Sequence, residues 1–284
     1  MAADVTGGDA EPLLPAVQPP AEPPAETHVA VGPGPSAQGQ RWPHRARFLV
    51  VYGVLGLALG GAVAGIVVFA SRSINPAPAW SAWRPHGGGQ GAAKEIATHL
   101  GAEYRLPSGK QLVDVIAKAP SVSPGKTTVP IHYVAVRTTG QHYETFDVSP
   151  TTSVMYSLCG LGPSCSIATG TPSVARGRLV RREILELALY TFKYVPGMQS
   201  VIAFMPPAAG TQPKYVVYLR KSDLSQELKV PLVDTLRAKT PLPNTIPARE
   251  VRLVDAVTSS KYFSFTLSQT QLGDAVLVLA PLPA

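Results

Sequence analysis

Residues 172–194 read PSVARGRLVRREILELALYTFKY and carry the clearest helical pattern in the C-terminal part of the chain. Successive helical residues are rotated by about 100°, which puts apolar and charged residues on different sides. The mainly apolar side holds Val180, Ile184, Leu185, Leu187, Ala188, Thr191 and Phe192, and the charged side holds Arg178, Arg182, Glu186 and Lys193. Pro172 and Ser173 are typical of a helix start, and Val-Pro-Gly at 195–197 ends the pattern. We therefore predict a helix that packs one side on the core of a domain.

Four arginines lie near the start of this predicted helix: Arg176, Arg178, Arg181 and Arg182. The helix dipole disfavours positive charge there, and a bound anion would relieve the conflict. Guanidinium groups bind phosphate or carboxylate through paired hydrogen bonds, so we predict an anion site for a lipid phosphate or an acidic polymer. The alternative is a solvated helix face, stabilised in part by an Arg182–Glu186 pair four residues apart.

The segments around this helix predict further helices and strands. Helical patterns cover 92–100, 110–119, 223–229 and 232–239, and strand patterns cover 129–137, 143–148, 200–205, 214–220, 250–256, 262–268 and 275–279. A short polar link between 129–137 and 143–148 suggests a hairpin. Helices interspersed with neighbouring strands predict one α+β domain over 92–284, with a mainly antiparallel sheet and packed helices.

An uncharged apolar run precedes the domain. Residues 48–70 read FLVVYGVLGLALGGAVAGIVVFA, and a helix of this length spans about 34 Å against a hydrocarbon core of about 30 Å. We predict one transmembrane helix. A buried soluble helix would normally show a polar face, and a signal peptide would have a shorter apolar region close to the N-terminus.

The flanks of this run indicate its orientation. Arg41, Arg45 and Arg47 precede the run, whereas Arg72 and Arg84 follow it. This weak excess of positive charge predicts a cytoplasmic N-terminus and an extracytoplasmic C-terminal domain at the cell membrane. The segment 1–47 contains nine prolines and predicts a disordered tail, and the Pro/Gly-rich segment 71–91 predicts a linker.

Small residues recur four positions apart within the apolar run. Gly56 and Gly60 form one such pair, and Gly61 and Gly65 form another. This spacing lets two transmembrane helices approach closely, so a homodimer through this face is a hypothesis. The bilayer itself is the first predicted partner of the protein.

The chain has only two cysteines, in the segment Cys159-Gly-Leu-Gly-Pro-Ser-Cys165. In an oxidising compartment such a pair is expected to form a disulfide. Free thiols and functional thiol chemistry are the alternatives. A zinc site needs two further ligands that the sequence does not offer, so no metal and no cofactor are predicted.

Composition and motifs narrow the function. The chain of 284 residues has a net charge of +7, but only 15% of its residues are charged, which argues against nucleic-acid binding. The motifs G-x-S-x-G, H-E-x-x-H, the P-loop and G-x-G-x-x-G do not occur. The sequence therefore favours a function other than catalysis, and an enzyme is the alternative. An excess of arginine over lysine, with frequent Ala, Pro and Gly, suggests a bacterial genome of high GC content.

The sequence therefore predicts a single-pass protein of the bacterial cell envelope. Its basic extracytoplasmic domain would act as a binding or scaffolding module for anionic lipid, wall polymer or a partner protein. One alternative is a membrane-anchored envelope hydrolase with catalytic residues drawn from distant positions. The other is a transmembrane signalling regulator.

Overall fold

A computed structural model describes residues 53–54, 79–123, 127–138, 140 and 142–282. The chain divides into two units, Met1–Ser73 and Ile74–Ala284, and only the helical residues Gly53 and Val54 are described in the first. The tail at 1–47, the rest of the apolar run at 48–70 and its four paired glycines lie outside the described residues. Among the residues that are described, no helix has both the length and the apolar character to cross a bilayer.

The described part of the second unit combines helices with a large sheet. Its four α-helices are α1 (Gly89–Glu103), α2 (Val174–Tyr194), α3 (Leu232–Thr235) and α4 (Ala248–Thr258). Its strands are β1 (Asp114–Lys118), β2 (Ser121–Val122), β3 (Val129–Arg137), β4 (Tyr143–Asp147), β5 (Ser153–Cys159), β6 (Ser200–Phe204), β7 (Tyr215–Arg220), β8 (Tyr262–Gln269) and β9 (Ala275–Pro281). The predicted mixture of helices and strands is confirmed.

The nine strands form one sheet in the order β1-β5-β6-β7-β8-β9-β3-β2, and β4 pairs with β3. The pairs β3/β9 and β5/β6 are parallel, and the other six pairs are antiparallel. The hairpin predicted at 129–148 is present as β3 and β4, in which Val134 lies opposite Phe146. The strand β9 therefore joins this hairpin to the rest of the sheet.

Two segments differ in class from their predicted structure, and the helix predicted at 223–229 is two short 3-10 helices, Lys221–Leu224 and Glu227–Lys229. The segment 110–119 contains the strand β1 instead of a helix, because its buried side chains Val115 and Ala117 alternate with exposed ones. The segment 250–256 lies in the helix α4 instead of a strand, because Glu250, Val254 and Thr258 are buried at intervals of four residues. In addition, no strand was predicted at the position of β5, which lies between β1 and β6.

Alternation along β5, β6 and β7 builds two separate cores. Val154 and Val201 point to the helical layer, where they join a cluster that includes residues of α1 and α2. Met155 and Ile202 point to the opposite face and pack in a second cluster with residues of β3, β8 and β9. Helices cover one face of the sheet, and outer strands of the same sheet cover the other. The helix α2 belongs to the helical side and lies deep in the domain.

This position explains why Arg182 and Glu186, on the charged side of α2, are buried, whereas Lys193 near the end of the helix is exposed. The side chains of Arg182 and Glu183 are wholly buried, and Glu186 is 6% exposed. The helix contacts α1 and α4 in addition to the sheet. Charged residues that the helical pattern assigns to the outer side therefore lie between helices, where each needs a partner.

Candidate ligand-binding site

Arg182 lies at the centre of a buried ion-pair network. Its Nε atom is 2.6 Å from Oε2 of Glu250 on α4, and its Nη1 atom is 3.1 Å from Oε2 of Glu186 one turn along α2. Its Nη2 atom donates to the carbonyl oxygen of Arg237 at 3.0 Å. The Arg182–Glu186 pair expected from the spacing is confirmed. The guanidinium group binds partners inside the protein and is not available to a ligand.

Tyr104, which follows α1, completes this network. Its hydroxyl group donates to Glu186 at 2.5 Å and accepts a hydrogen bond from Arg182. Burial raises the pKa of Tyr104 well above its usual value, so the hydroxyl stays protonated. Burial alone would lower the pKa of Arg182, but Tyr104, Glu186 and Glu250 outweigh it and raise that pKa. The guanidinium group of Arg182 thus connects α2 with α4 and with Tyr104 at the end of α1.

Glu183 is buried beside this network but does not belong to it. Neither carboxyl oxygen has a hydrogen-bond partner among the described residues. Burial raises its pKa far above the usual range, and the nearby charge of Glu186 adds to the shift. Because an isolated buried carboxylate is costly, the neutral acid is the form that the fold favours.

Two further arginines of α2, which precede Arg182 in the chain, pair with an aspartate of α4. Arg178 and Arg181 approach opposite oxygens of Asp255, at 3.0 and 2.6 Å. Arg181 also donates to the hydroxyl group of Thr258 at 2.8 Å. Burial of Asp255 is outweighed by these hydrogen bonds, which lower its pKa. Both guanidinium groups therefore already have an anionic partner.

Arg176 differs from the other three because it lines a cavity. This cavity, called cavity A here, has a volume of about 370 Å³. It is bounded by the first turn of α2, the loop 205–214, and the facing ends of β7 and β8. Its lining residues are Val113, Ile167, Pro172, Ser173, Arg176, Gly177, Val180, Met205, Pro206, Pro207, Ala208, Thr211, Gln212, Lys214, Tyr215 and Tyr262.

Local hydrogen bonds hold Arg176 at the cavity wall. The side chain of Ser173 caps α2 by accepting a hydrogen bond from the backbone N–H of Arg176 at 3.2 Å. The Nη1 atom of Arg176 donates to the carbonyl oxygen of Thr169. Gly170 has a φ of 77°, and a Cβ atom there would lie 3.2 Å from Nη1. A glycine at 170 thus permits both the turn and the close approach of the guanidinium group.

The lining of cavity A is apolar and positively charged. Among the described residues of the lining, Arg176 and Lys214 are cationic, and none is a carboxylate or a histidine. Arg176 is 9% exposed and forms no ion pair with any carboxylate in the described ranges. Burial lowers its pKa slightly from the usual arginine value, which leaves it charged. A buried cation without a counter-charge favours an anionic ligand.

The cysteine pair borders cavity A. The Sγ atoms of Cys159 and Cys165 are 2.16 Å apart, so the predicted disulfide pair is confirmed at bonding distance. A Cβ atom on Gly160 would lie 2.5 Å from the carbonyl oxygen of Ser166, so only glycine fits inside this loop. Directly after the loop, the N–H of Ile167 donates to the carbonyl oxygen of Pro207. The loop thereby fixes one wall of the cavity.

The structure separates the four arginines of the predicted anion site. Arg182 lies inside the protein, Arg178 and Arg181 bind Asp255, and only Arg176 faces cavity A. Lys214 was not predicted as a site residue, because no local pattern connects it with Arg176, which lies 38 residues earlier in the chain. No group of three or more histidine, cysteine or carboxylate side chains in the described part of the chain is arranged to hold a metal ion.

Comparisons with models of protein families, with curated proteins and with solved structures found no match to this chain.

Proposed function

We propose that this protein is a membrane-anchored binding protein of the cell envelope, whose ligand is a small anion with an apolar body. Cavity A would hold this ligand, with its carboxylate or phosphate group near Arg176 and Lys214. The observation that carries the proposal is the lining itself, in which two cations lie among apolar side chains without a carboxylate. Ligand pockets typically combine an apolar surface with a few polar groups that fix orientation.

The rest of the cavity suits an apolar ligand body. Val113, Val180 and Met205 line it, and the rings of Tyr215 and Tyr262 lie 5.4 Å apart between their centroids. The prolines at 206 and 207 stiffen the neighbouring loop, which reduces the entropy lost when a ligand binds. Arg176 would form charge-assisted hydrogen bonds with the anionic group, and Lys214 would contribute a second positive charge.

We expect the full-length protein in nanodiscs to bind hexyl phosphate and hexanoate more tightly than the neutral hexan-1-ol. Lys214→Glu should weaken binding of both anions by about tenfold or more, because it reverses one of the two charges near the anionic group. Isothermal titration calorimetry would measure the dissociation constants, with empty nanodiscs as the blank.

The matched control is Lys229→Glu, which makes the same charge change at an exposed position outside cavity A. This control should bind both anions like the parent. Equal weakening by the two variants would indicate a general effect of net charge and would contradict the site. Equal affinity for the anions and the alcohol would contradict anion recognition.

We also propose that the protein spans the membrane once at 48–70, with the tail 1–47 inside and the folded domain outside. Support comes from the uncharged apolar run, from the positive charges before it, and from a cysteine pair at bonding distance, which suits an oxidising compartment. The disordered tail and the homodimer through Gly56, Gly60, Gly61 and Gly65 belong to the same proposal and stay predictions.

Thiol labelling of intact cells tests this topology. Because Cys159 and Cys165 are the only cysteines, a membrane-impermeant maleimide should label the protein only after reduction. Labelling that requires the membrane to be broken would put the domain in the cytoplasm. Labelling without reduction would show free thiols outside and would refute the disulfide.

The hydrolase and the signalling regulator remain predictions of the sequence. A serine nucleophile needs a neighbouring general base, and the described lining of cavity A contains neither histidine nor carboxylate, which leaves Lys214 as its one candidate base. Ser173 instead caps α2. The lining therefore favours binding over hydrolysis at this cavity.

A further inference from the structure

We propose that a second cavity binds a small organic cation carrying an alkylammonium group. This cavity, called cavity B here, has a volume of about 440 Å³ and lies between the segment 79–83, α1, α2 and α3. Its lining residues are Ala79, Trp80, Ser81, Ala82, Trp83, His99, Glu103, Glu186, Tyr190, Leu232, Val233, Leu236 and Ala238. The charge of its described lining is opposite to that of cavity A, because it holds two carboxylates and neither lysine nor arginine.

The segment that carries the two tryptophans is part of the folded domain. The N–H of Leu232 donates to the carbonyl oxygen of Trp80 at 2.7 Å, and the hydroxyl groups of Ser81 and Tyr194 are 2.5 Å apart. The tryptophans therefore pack on the domain, although they belong to the segment predicted as a linker, and they form one wall of cavity B.

Aromatic rings supply the first element of cation recognition. The ring of Tyr190 lies 5.6 Å from the rings of both Trp80 and Trp83, measured between centroids. Electron-rich ring faces attract ammonium groups, and cages of such rings recognise alkylammonium ligands. The Nζ atom of Lys193 already lies 5.5 Å from the centre of the Trp80 ring, so this ring accepts a cation on one face in the protein itself.

Excess negative charge supplies the second element. Oε2 of Glu186 is engaged by Tyr104 and Arg182, whereas no described residue forms a hydrogen bond with Oε1 of the same carboxylate. Among the described residues, Arg182 is the one cation that pairs with both Glu186 and Glu250, so two carboxylates share one positive charge. Burial raises the pKa of Glu186 because it disfavours the charged form, and a cation in cavity B would favour that form. Glu103, whose side chain is 41% exposed, adds a further carboxylate at the cavity, where its Oε1 atom lies 3.4 Å from Nε2 of His99. A cation in cavity B would balance these carboxylates.

One more polar atom lacks a partner at this wall. The Nε1 atom of Trp80 is buried, and no hydrogen-bond acceptor reaches it among the described residues. This atom has almost no accessible surface, so it lies inside the wall and not at the space that a ligand would occupy. Choline carries a quaternary ammonium group, which is the group that aromatic rings recognise, and it is a suitable probe for the site.

Tryptophan fluorescence can report on cavity B directly. The chain has three tryptophans, so the variant Trp42→Phe leaves only Trp80 and Trp83 as emitters. We expect choline chloride to change the emission of this variant saturably, with sodium chloride titrated as the ionic-strength control. Its uncharged isostere, 3,3-dimethylbutan-1-ol, should bind at least about fivefold more weakly, because it lacks the charge that the rings and carboxylates recognise.

Two substitutions in this background make the test specific. Glu103→Gln should weaken choline binding by about threefold or more, whereas Asp147→Asn removes the same charge at an exposed position on β4 and should leave binding unchanged. No saturable change with choline, equal affinity for choline and its isostere, or equal effects of the two substitutions would each overturn the proposal. Unchanged emission on adding hexyl phosphate would distinguish cavity B from cavity A.

Discussion

Replacing Arg182 with methionine is expected to destabilise the domain by about 3–5 kcal/mol. The substitution keeps much of the side-chain volume but removes the cation that Glu186 and Glu250 share at 3.1 and 2.6 Å. Both carboxylates are nearly or fully buried, so neither can regain the lost interaction from water. The free energy of unfolding, measured by urea denaturation and circular dichroism, would report the loss.

Arg178→Met is the matched control for this prediction. Arg178 lies one turn earlier on α2, and its partner Asp255 keeps a second arginine, Arg181. Because the pair is partly exposed, its loss should cost about 1 kcal/mol or less. Similar destabilisation by the two variants would contradict a special role for the buried network. A stable triple variant, in which methionine at 182 is combined with leucine at 186 and 250, would confirm that uncompensated charge causes the loss.

Glu183→Met is expected to raise the free energy of unfolding by about 1–3 kcal/mol at neutral pH. Glu183 is wholly buried, and neither of its carboxyl oxygens has a described partner, so methionine removes two unsatisfied polar atoms at similar volume. Glu186→Met makes the same chemical change on the next turn and should instead destabilise the domain, because Glu186 has partners to lose.

The pH dependence gives Glu183→Met a second signature. The pKa of Glu183 is raised in the folded state, so between the usual glutamate value and that raised value the folded chain holds a proton that the unfolded chain has released. The parent therefore loses stability as the pH rises through this interval, and the advantage of the variant should grow. Thermal midpoints compared at about pH 5 and pH 8 would measure it. An advantage that is constant or shrinks with rising pH would contradict the buried neutral acid.

The sequence predicts local features of this fold well. The start and end of α2, the strands β3 and β6 to β9, and the pair Arg182–Glu186 all follow from periodicity or spacing within a few residues. The errors at β1 and α4 arise because the apolar residues of each segment have spacings that fit both a helix and a strand, and tertiary contacts decide which face is buried. Glu250, which we predicted in a strand, lies on α4, from which its carboxylate reaches Arg182.

Most residues of the two candidate sites could not be predicted from the sequence, because they come from distant positions in the chain. Arg176 was singled out from the charge at a helix start, but nothing local separates it from Arg178, whose partner Asp255 lies 77 residues away. Lys214 joins cavity A only through the sheet. The charges of cavity B depend on Glu186, which appears in the sequence as an ordinary solvent-facing helical residue.

The place of β9 in the sheet sets an order of events during synthesis. β9 is the last strand along the described chain, yet it lies between β8 and β3, and the hairpin of β3 and β4, together with β2, pairs with the rest of the sheet only through it. The hairpin emerges early but must wait for more than a hundred further residues before it can dock. Contacts of such sequence separation slow folding and leave strand edges open meanwhile. We therefore expect the nascent domain to depend on chaperones until its final strand has been made.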